Sequence, residues 1–157
     1  MNTQENIENR TLTLQRNIPA PLESVWDAWT QPEHIAQWWG PKGMQVNIAK
    51  HDLRIGGQWR YTMEMQDGNI FVSDGTYADI ETHKKLVSSA DFRPMTIGVV
   101  LEVLFKEDGK NTNLEFHVQH PTMAYRKQQE GMGFYKGWDA AFDRLENYLK
   151  DLSGQDR

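Results

Sequence analysis

The chain has 157 residues, 38% of them hydrophobic and 25% charged, with 22 Asp and Glu against 17 Lys and Arg. The absence of cysteine excludes a disulfide framework, a thiolate metal site and a cysteine nucleophile. The net charge of -5 argues against a phosphate-backbone binder, so no nucleic acid is expected as a partner.

The polar opening MNTQENIENR has no apolar h-region, and no run approaches the ~20 apolar residues of a spanning helix. The expectation is a cytoplasmic domain at 9–152, without membrane insertion, between flexible termini at 1–8 and 153–157. Alternation from Thr11 to Ile18 predicts a first strand. Pro21 suits a helix start, and Leu22, Val25, Trp26 and Trp29 follow at helical spacing. Thr30-Gln-Pro-Glu33 reads as a capping box for a second short helix, which ends at Trp38-Trp39-Gly40-Pro41.

From Met44 to His120 the period changes to two, predicting strands near 44–50, 57–66, 69–81, 85–92, 97–107 and 111–120. Asp67-Gly68 and Asp108-Gly109 mark hairpin turns. A last helix is predicted over Met123–Leu152, on the stripe Trp138, Phe142, Leu145, Leu149 and Leu152. Gly131, Gly133 and Gly137 weaken or kink its front half, at up to ~1 kcal/mol each. The order implies an α+β fold: a curved antiparallel sheet of about six or seven strands wrapped around a long C-terminal helix, with two short helices after strand 1.

These elements carry a pattern: Arg16-x-Ile-x-Ala-Pro21, Val25-Trp26-x-Ala28-Trp29-Thr30, Pro32-Glu33 and Trp38-Trp39-Gly40-Pro41. It continues through Asp52-x-Arg54-x-Gly56-Gly57-x-Trp59-Arg60, Gly75-x-Tyr77 and Gly137-Trp138. In order and spacing the chain resembles the activator-of-heat-shock-ATPase-homologue (AHSA-like) branch of the START-like, or SRPBCC, helix-grip superfamily. The resemblance implies a deep cavity between the concave sheet face and the long helix. Superfamily members carry lipids, sterols, polyketides or other apolar ligands there, and some are cyclases or hydrolases. The branch is named after co-chaperones of the ninety-kilodalton heat-shock protein. This chain departs from the pattern at Glu81-Thr-His-Lys-Lys-Leu86-Val87, which lacks the usual proline. Fold alone does not imply function.

Few residues point to chemistry. Gly56-Gly57 opens a strand, so it reads as a bulge or close backbone approach rather than a phosphate cradle. The histidines lack metal-ligand spacing, and His120, on the covered face, reads as a satisfied strand-end residue. There is no Gly-x-Ser-x-Gly elbow, and Ser73, Ser88 and Ser89 have no base in sequence. Hence no catalytic residue, no metal and no cofactor is expected. Arg54 is read as holding its turn through Asp52. Glu64 and Glu102 are read as outer-face pairs with Arg60 and Lys106.

The cavity candidates are Trp59, Tyr61, Met63, Met65, Tyr77, Phe92, Leu101, Val103, Phe116, Val118 and His120 on the sheet, faced by Met132, Tyr135 and Trp138 on the helix. They either line a ligand pocket or pack together and exclude one. Tyr61, Tyr77, Arg93 and His120 are candidate polar handles. Of Trp38 and Trp39, one is expected in the core and the other as a lid or partner patch, because adjacent residues do not share a helix face. The first functional reading is a binding protein for a hydrophobic or amphipathic small molecule. A protein-interaction, co-chaperone-like module comes second. A cyclase- or hydrolase-type enzyme using His120 or Tyr77 comes last. Monomer and homodimer both remain open.

Overall fold

The computed structural model describes residues 6–40, 45–65, 67–93 and 96–155, with side chains as far as 152. Among the described residues, seven strands form one antiparallel sheet in the order β1-β7-β6-β5-β4-β3-β2. They are β1 Thr11–Ile18, β2 Val46–His51, β3 Gln58–Glu64, β4 Ile70–Glu81, β5 Lys85–Arg93, β6 Thr96–Asp108 and β7 Asn111–Gln119. Helices α1 (Leu22–Thr30) and α2 (Pro32–Trp38) link β1 to β2, while α3 (Met123–Gly131) and α4 (Phe134–Gln155) follow the sheet. A single 3-10 turn, Ile7–Arg10, precedes β1. The 3-10 turn and the last residues of α4 thus fall within the segments 1–8 and 153–157; residues 1–5 and 156–157 lie outside the described ones. No helix among the described residues is long and apolar enough to cross a membrane.

Period-two alternation decides which face of the sheet is covered. Leu114, Phe116 and Val118 pair with Phe105, Val103 and Leu101, and all six are buried. Each such side chain contributes roughly 1.5–3 kcal/mol by leaving water. At the β6–β7 turn Asp108 pairs with Asn111, and Gly109 takes the left-handed φ of +61° that favours glycine there. Register shifts between Ile48 and Lys50, Tyr77 and Asp79, and Ala90 and Phe92 interrupt the ladders toward the β2 edge. Such bulges bend a sheet. Gly75 permits the bend: a Cβ there would lie 1.9 Å from the Ser89 carbonyl oxygen. The double glycine is likewise a close approach, since a Cβ on Gly57 would meet the Asp52 carbonyl at 2.1 Å.

Two local expectations are corrected. Thr30 does not cap α2; its hydroxyl donates to the Trp26 carbonyl (2.8 Å), and the cap position falls on Gln31, which makes no side-chain cap bond. The predicted single helix is two. α3, capped by the Thr122 hydroxyl, ends at Gly131, and the chain turns through Met132 and Gly133 (φ +100°) before α4 begins. From Trp138 onward α4 packs along the expected stripe. Arg16 of β1 clamps it, reaching Asp139 (3.1 Å), Asp143 (2.7 Å) and Glu146 (2.7 Å) beside the Phe142 ring.

Candidate ligand-binding site

The space between sheet and helices is closed at one end and open at the other. Toward β1, β7 and β6, Phe116 and Phe142 meet edge-on with centroids 5.3 Å apart, both at most 1% exposed. Toward β3, β4 and β5, a pocket of about 220 Å³ lies under the α3–α4 break. Trp39, Met63, Phe71, Phe92, Phe134 and Trp138 give it apolar walls; Met132, Gly133, Gly137 and Ala141 complete the helical side. A smaller void of about 30 Å³ lies deeper, among Trp29, Trp39, Trp59, Tyr61, Tyr77 and Ser88. Trp39 borders both spaces.

Both tryptophans of the Trp38-Trp39 pair are buried, at 0% and 5% exposure, so of the two roles expected for the second, lid or partner patch, neither indole forms an exposed patch. The reason is local. Trp38 is the last residue of α2 and donates its indole N–H to the Ala28 carbonyl (2.8 Å). Trp39 already has extended backbone (ψ 134°), which frees its side chain from the helix spacing that would send it outward. Its indole meets the Trp138 ring edge-on at 5.9 Å and lies near-parallel to Phe92 at 6.3 Å. The Arg144 guanidinium holds this turn by donating to the carbonyls of Gln37 (3.2 Å), Trp39 (3.3 Å) and Gly40.

A hydrogen-bonded line runs along the deeper void. His51 Nε2 lies 2.6 Å from the Thr30 carbonyl and must donate to it. With Nε2 so committed, Nδ1 lies 2.9 Å from the Tyr61 hydroxyl, which hydrogen-bonds to it, and the Tyr77 phenol lies beside Tyr61. Burial raises the Tyr77 phenol to about 12 and pushes Tyr61 higher still, with Tyr77 beside it adding to the effect. Both remain neutral hydroxyls at physiological pH. Two other buried hydroxyls serve indoles: Trp59 donates to Ser88 (2.8 Å) and Trp39 to Ser73 (3.4 Å). Trp29 Nε1 is buried without a hydrogen-bond partner.

The predicted cavity residues divide accordingly. Met63, Phe92, Met132 and Trp138 line the outer pocket, while Trp59, Tyr61, Tyr77, Leu101 and Val103 line the void. Phe116 and Val118 belong to the sealed core. Met65 lies beyond the end of β3 and lines neither space. Tyr135, expected to face the sheet, is 37% exposed; the break at Gly133 sets the phase of α4 so that Phe134 and Trp138 turn inward instead. Met132 reaches the pocket rim but stays 51% exposed.

Nor is His120 a handle for either space. It is 1% exposed, with its ring 3.0 Å from the Arg10 carbonyl through Nδ1, and burial lowers its pKa. Arg93 lines the outer pocket, but its guanidinium pairs with Asp74 (3.2 Å) and Asp91 (3.0 Å). Asp74 also takes Arg60, while Arg54 bonds to Asp52 as expected (2.7 Å). Sequence reasoning missed Phe71 and Ser73, although their alternation with Tyr77 marks the same face. It also missed Phe134, hidden by the helix phase, and His51, whose partner Thr30 lies 21 residues away.

An antiparallel sheet gripping a C-terminal helix over an apolar pocket defines a helix-grip protein. Residues 19–150 match the family described as Activator of Hsp90 ATPase homolog 1-like protein, and the chain belongs to it. A crystal structure of a protein from Nitrosomonas europaea is 27% identical, with TM-score 0.81 over 93% of this chain and 97% of that one. A Mycobacterium smegmatis protein (19% identity, TM-score 0.82, 97% of this chain and 98% of that one) shares the fold. So does an AHSA1-like protein from Aeromonas hydrophila (23% identity, TM-score 0.74, 91% and 94%). No curated protein matches the sequence.

Proposed function

We propose that the chain binds a small, neutral, apolar or amphipathic molecule in the pocket under the α3–α4 break. The observation that carries this reading is the pocket itself: about 220 Å³ walled by Trp39, Met63, Phe71, Phe92, Phe134 and Trp138. Apolar concavities with a few polar groups are the usual ligand sites. An apolar cavity of about 150 Å³ is enough to bind benzene, whereas drug-sized ligands occupy about 300–1,000 Å³. The ligand is therefore about one or two rings in size, or a short chain. It carries no net charge, because among the described residues the one cation on the wall, Arg93, already has two carboxylate partners. Two indoles in the wall, Trp39 and Trp138, make binding visible as a change in tryptophan fluorescence. Titration with indane, a two-ring hydrocarbon, should give a saturable change at one equivalent per chain. A change linear in indane up to its solubility limit would contradict the reading.

A further inference from the structure

The deeper void has a chemistry that the outer pocket lacks. Trp29 borders it and is 6% exposed, and its Nε1–H finds no acceptor among the described residues. A buried donor without a partner forfeits its hydration, so it favours any acceptor that reaches it. Tyr77 and Tyr61 border the same void, the Tyr61 hydroxyl bonded to His51, which in turn donates to the Thr30 carbonyl. The void therefore offers a donor and neutral oxygens, and among the described residues no charged side chain lines it.

What separates it from the outer pocket is the Trp39 indole. That indole has one long hydrogen bond, 3.4 Å to the Ser73 hydroxyl, and is otherwise held by ring contacts with Trp29, Trp38, Trp59, Tyr61, Phe92 and Trp138. Its residue follows the last turn of α2 and precedes Gly40 at φ +82°. A planar ligand that displaced the indole from its ring contacts would join the two into one space from the helix break to Trp29.

We propose that the outer pocket and the void are two ends of one ligand site, partitioned by Trp39. The ligand it takes is a neutral ring compound with a terminal carbonyl, the ring under the helix break and the oxygen accepting from Trp29 Nε1–H. This inference rests on the reading of the outer pocket as a ligand site. A carboxylate is disfavoured at this end, because an isolated charge buried beside neutral hydroxyls lacks a counter-ion.

The test compares indane with 1-indanone, nearly the same shape with a ketone added, while the indole N–H resonances are followed by NMR. Substituting Trp29→Phe assigns the Trp29 signal and removes the donor but keeps an aromatic ring. The wild type should bind 1-indanone roughly three- to tenfold more tightly than indane, the worth of one net hydrogen bond. The Trp29 and Trp39 signals should both shift with the ketone, and the preference should vanish in Trp29→Phe. Equal affinities, or a Trp29 signal unmoved by saturating ketone, would overturn the inference and leave the void to a single water. Saturable indane binding would in that case still uphold the outer pocket, whereas failure of both probes to bind would overturn both readings. If Trp29→Phe does not fold, the wild-type signals alone decide.

Discussion

Between β7 and the middle of α4, Phe116, Phe142 and Leu145 interlock with at most 1% exposure, and Arg16 clamps the helix from β1. Between β3–β5 and the start of α4, side chains just as large leave a 220 Å³ pocket. The residue types are the same at both ends; the backbone differs. At the closed end an unbroken helix presents Phe142, Leu145 and Leu149 to ladders that run in register. At the open end the helix breaks at Gly133, Gly137 adds no side chain, and bulges in the β4–β5 and β5–β6 ladders bend the sheet away. Aromatic residues therefore fill a core or wall a pocket according to the regularity of the backbone that carries them.

The comparison predicts unequal responses to the same substitution. Phe142→Ala, at the closed end, should cost ~3–5 kcal/mol in denaturant unfolding, the range for a buried aromatic that leaves a cavity. Phe92→Ala, on the half-buried pocket wall, should cost less than half as much, because its ring already borders empty space. Equal losses would mean that the two ends are packed alike. Tyr61→Phe should cost ~1–3 kcal/mol, since it strips the partner from His51 Nδ1.

A smaller effect belongs to pH. His120 is buried as the neutral imidazole, with its pKa lowered chiefly by burial and further by the Arg126 charge. The unfolded chain, titrating near ~6.5, takes up this proton first as pH falls. The stability that His120 contributes is thus complete above that value and declines as pH drops toward the folded pKa. Denaturant midpoints measured from pH 7.5 to 5 should show this slope, and His120→Phe should flatten it.

Much of the fold was legible in the sequence. Strands β1 and β4 to β7 fall within one or two residues of their alternating segments, and the short helices end at Thr30 and Trp38, the stretch where the sequence placed both stops. The family pattern ran through the same elements. The site was less legible because its decisive features are breaks in periodicity. Three glycines announced a weak helix, but not that Gly133 would set the phase that turns Tyr135 outward and Phe134 inward. Helix spacing forbade burying both Trp38 and Trp39, yet one extended residue at the end of α2 removed the constraint. The Tyr61–His51–Thr30 line depends on tertiary partners that no local pattern announces. The sequence left open whether the cavity is filled or empty, and the answer differs between its two ends.

The most direct test of the pocket is Gly137→Leu. A Cβ at Gly137 meets nothing within 4 Å, and leucine favours a helix over glycine by up to ~1 kcal/mol. The substitution should therefore preserve or raise stability while it fills the mouth of the pocket. Indane titrations of wild type and Gly137→Leu, followed by tryptophan fluorescence, should show affinity falling at least tenfold in the variant with no loss of folding stability. Undiminished indane affinity in a stably folded Gly137→Leu chain would contradict the placement of the ligand under the helix break.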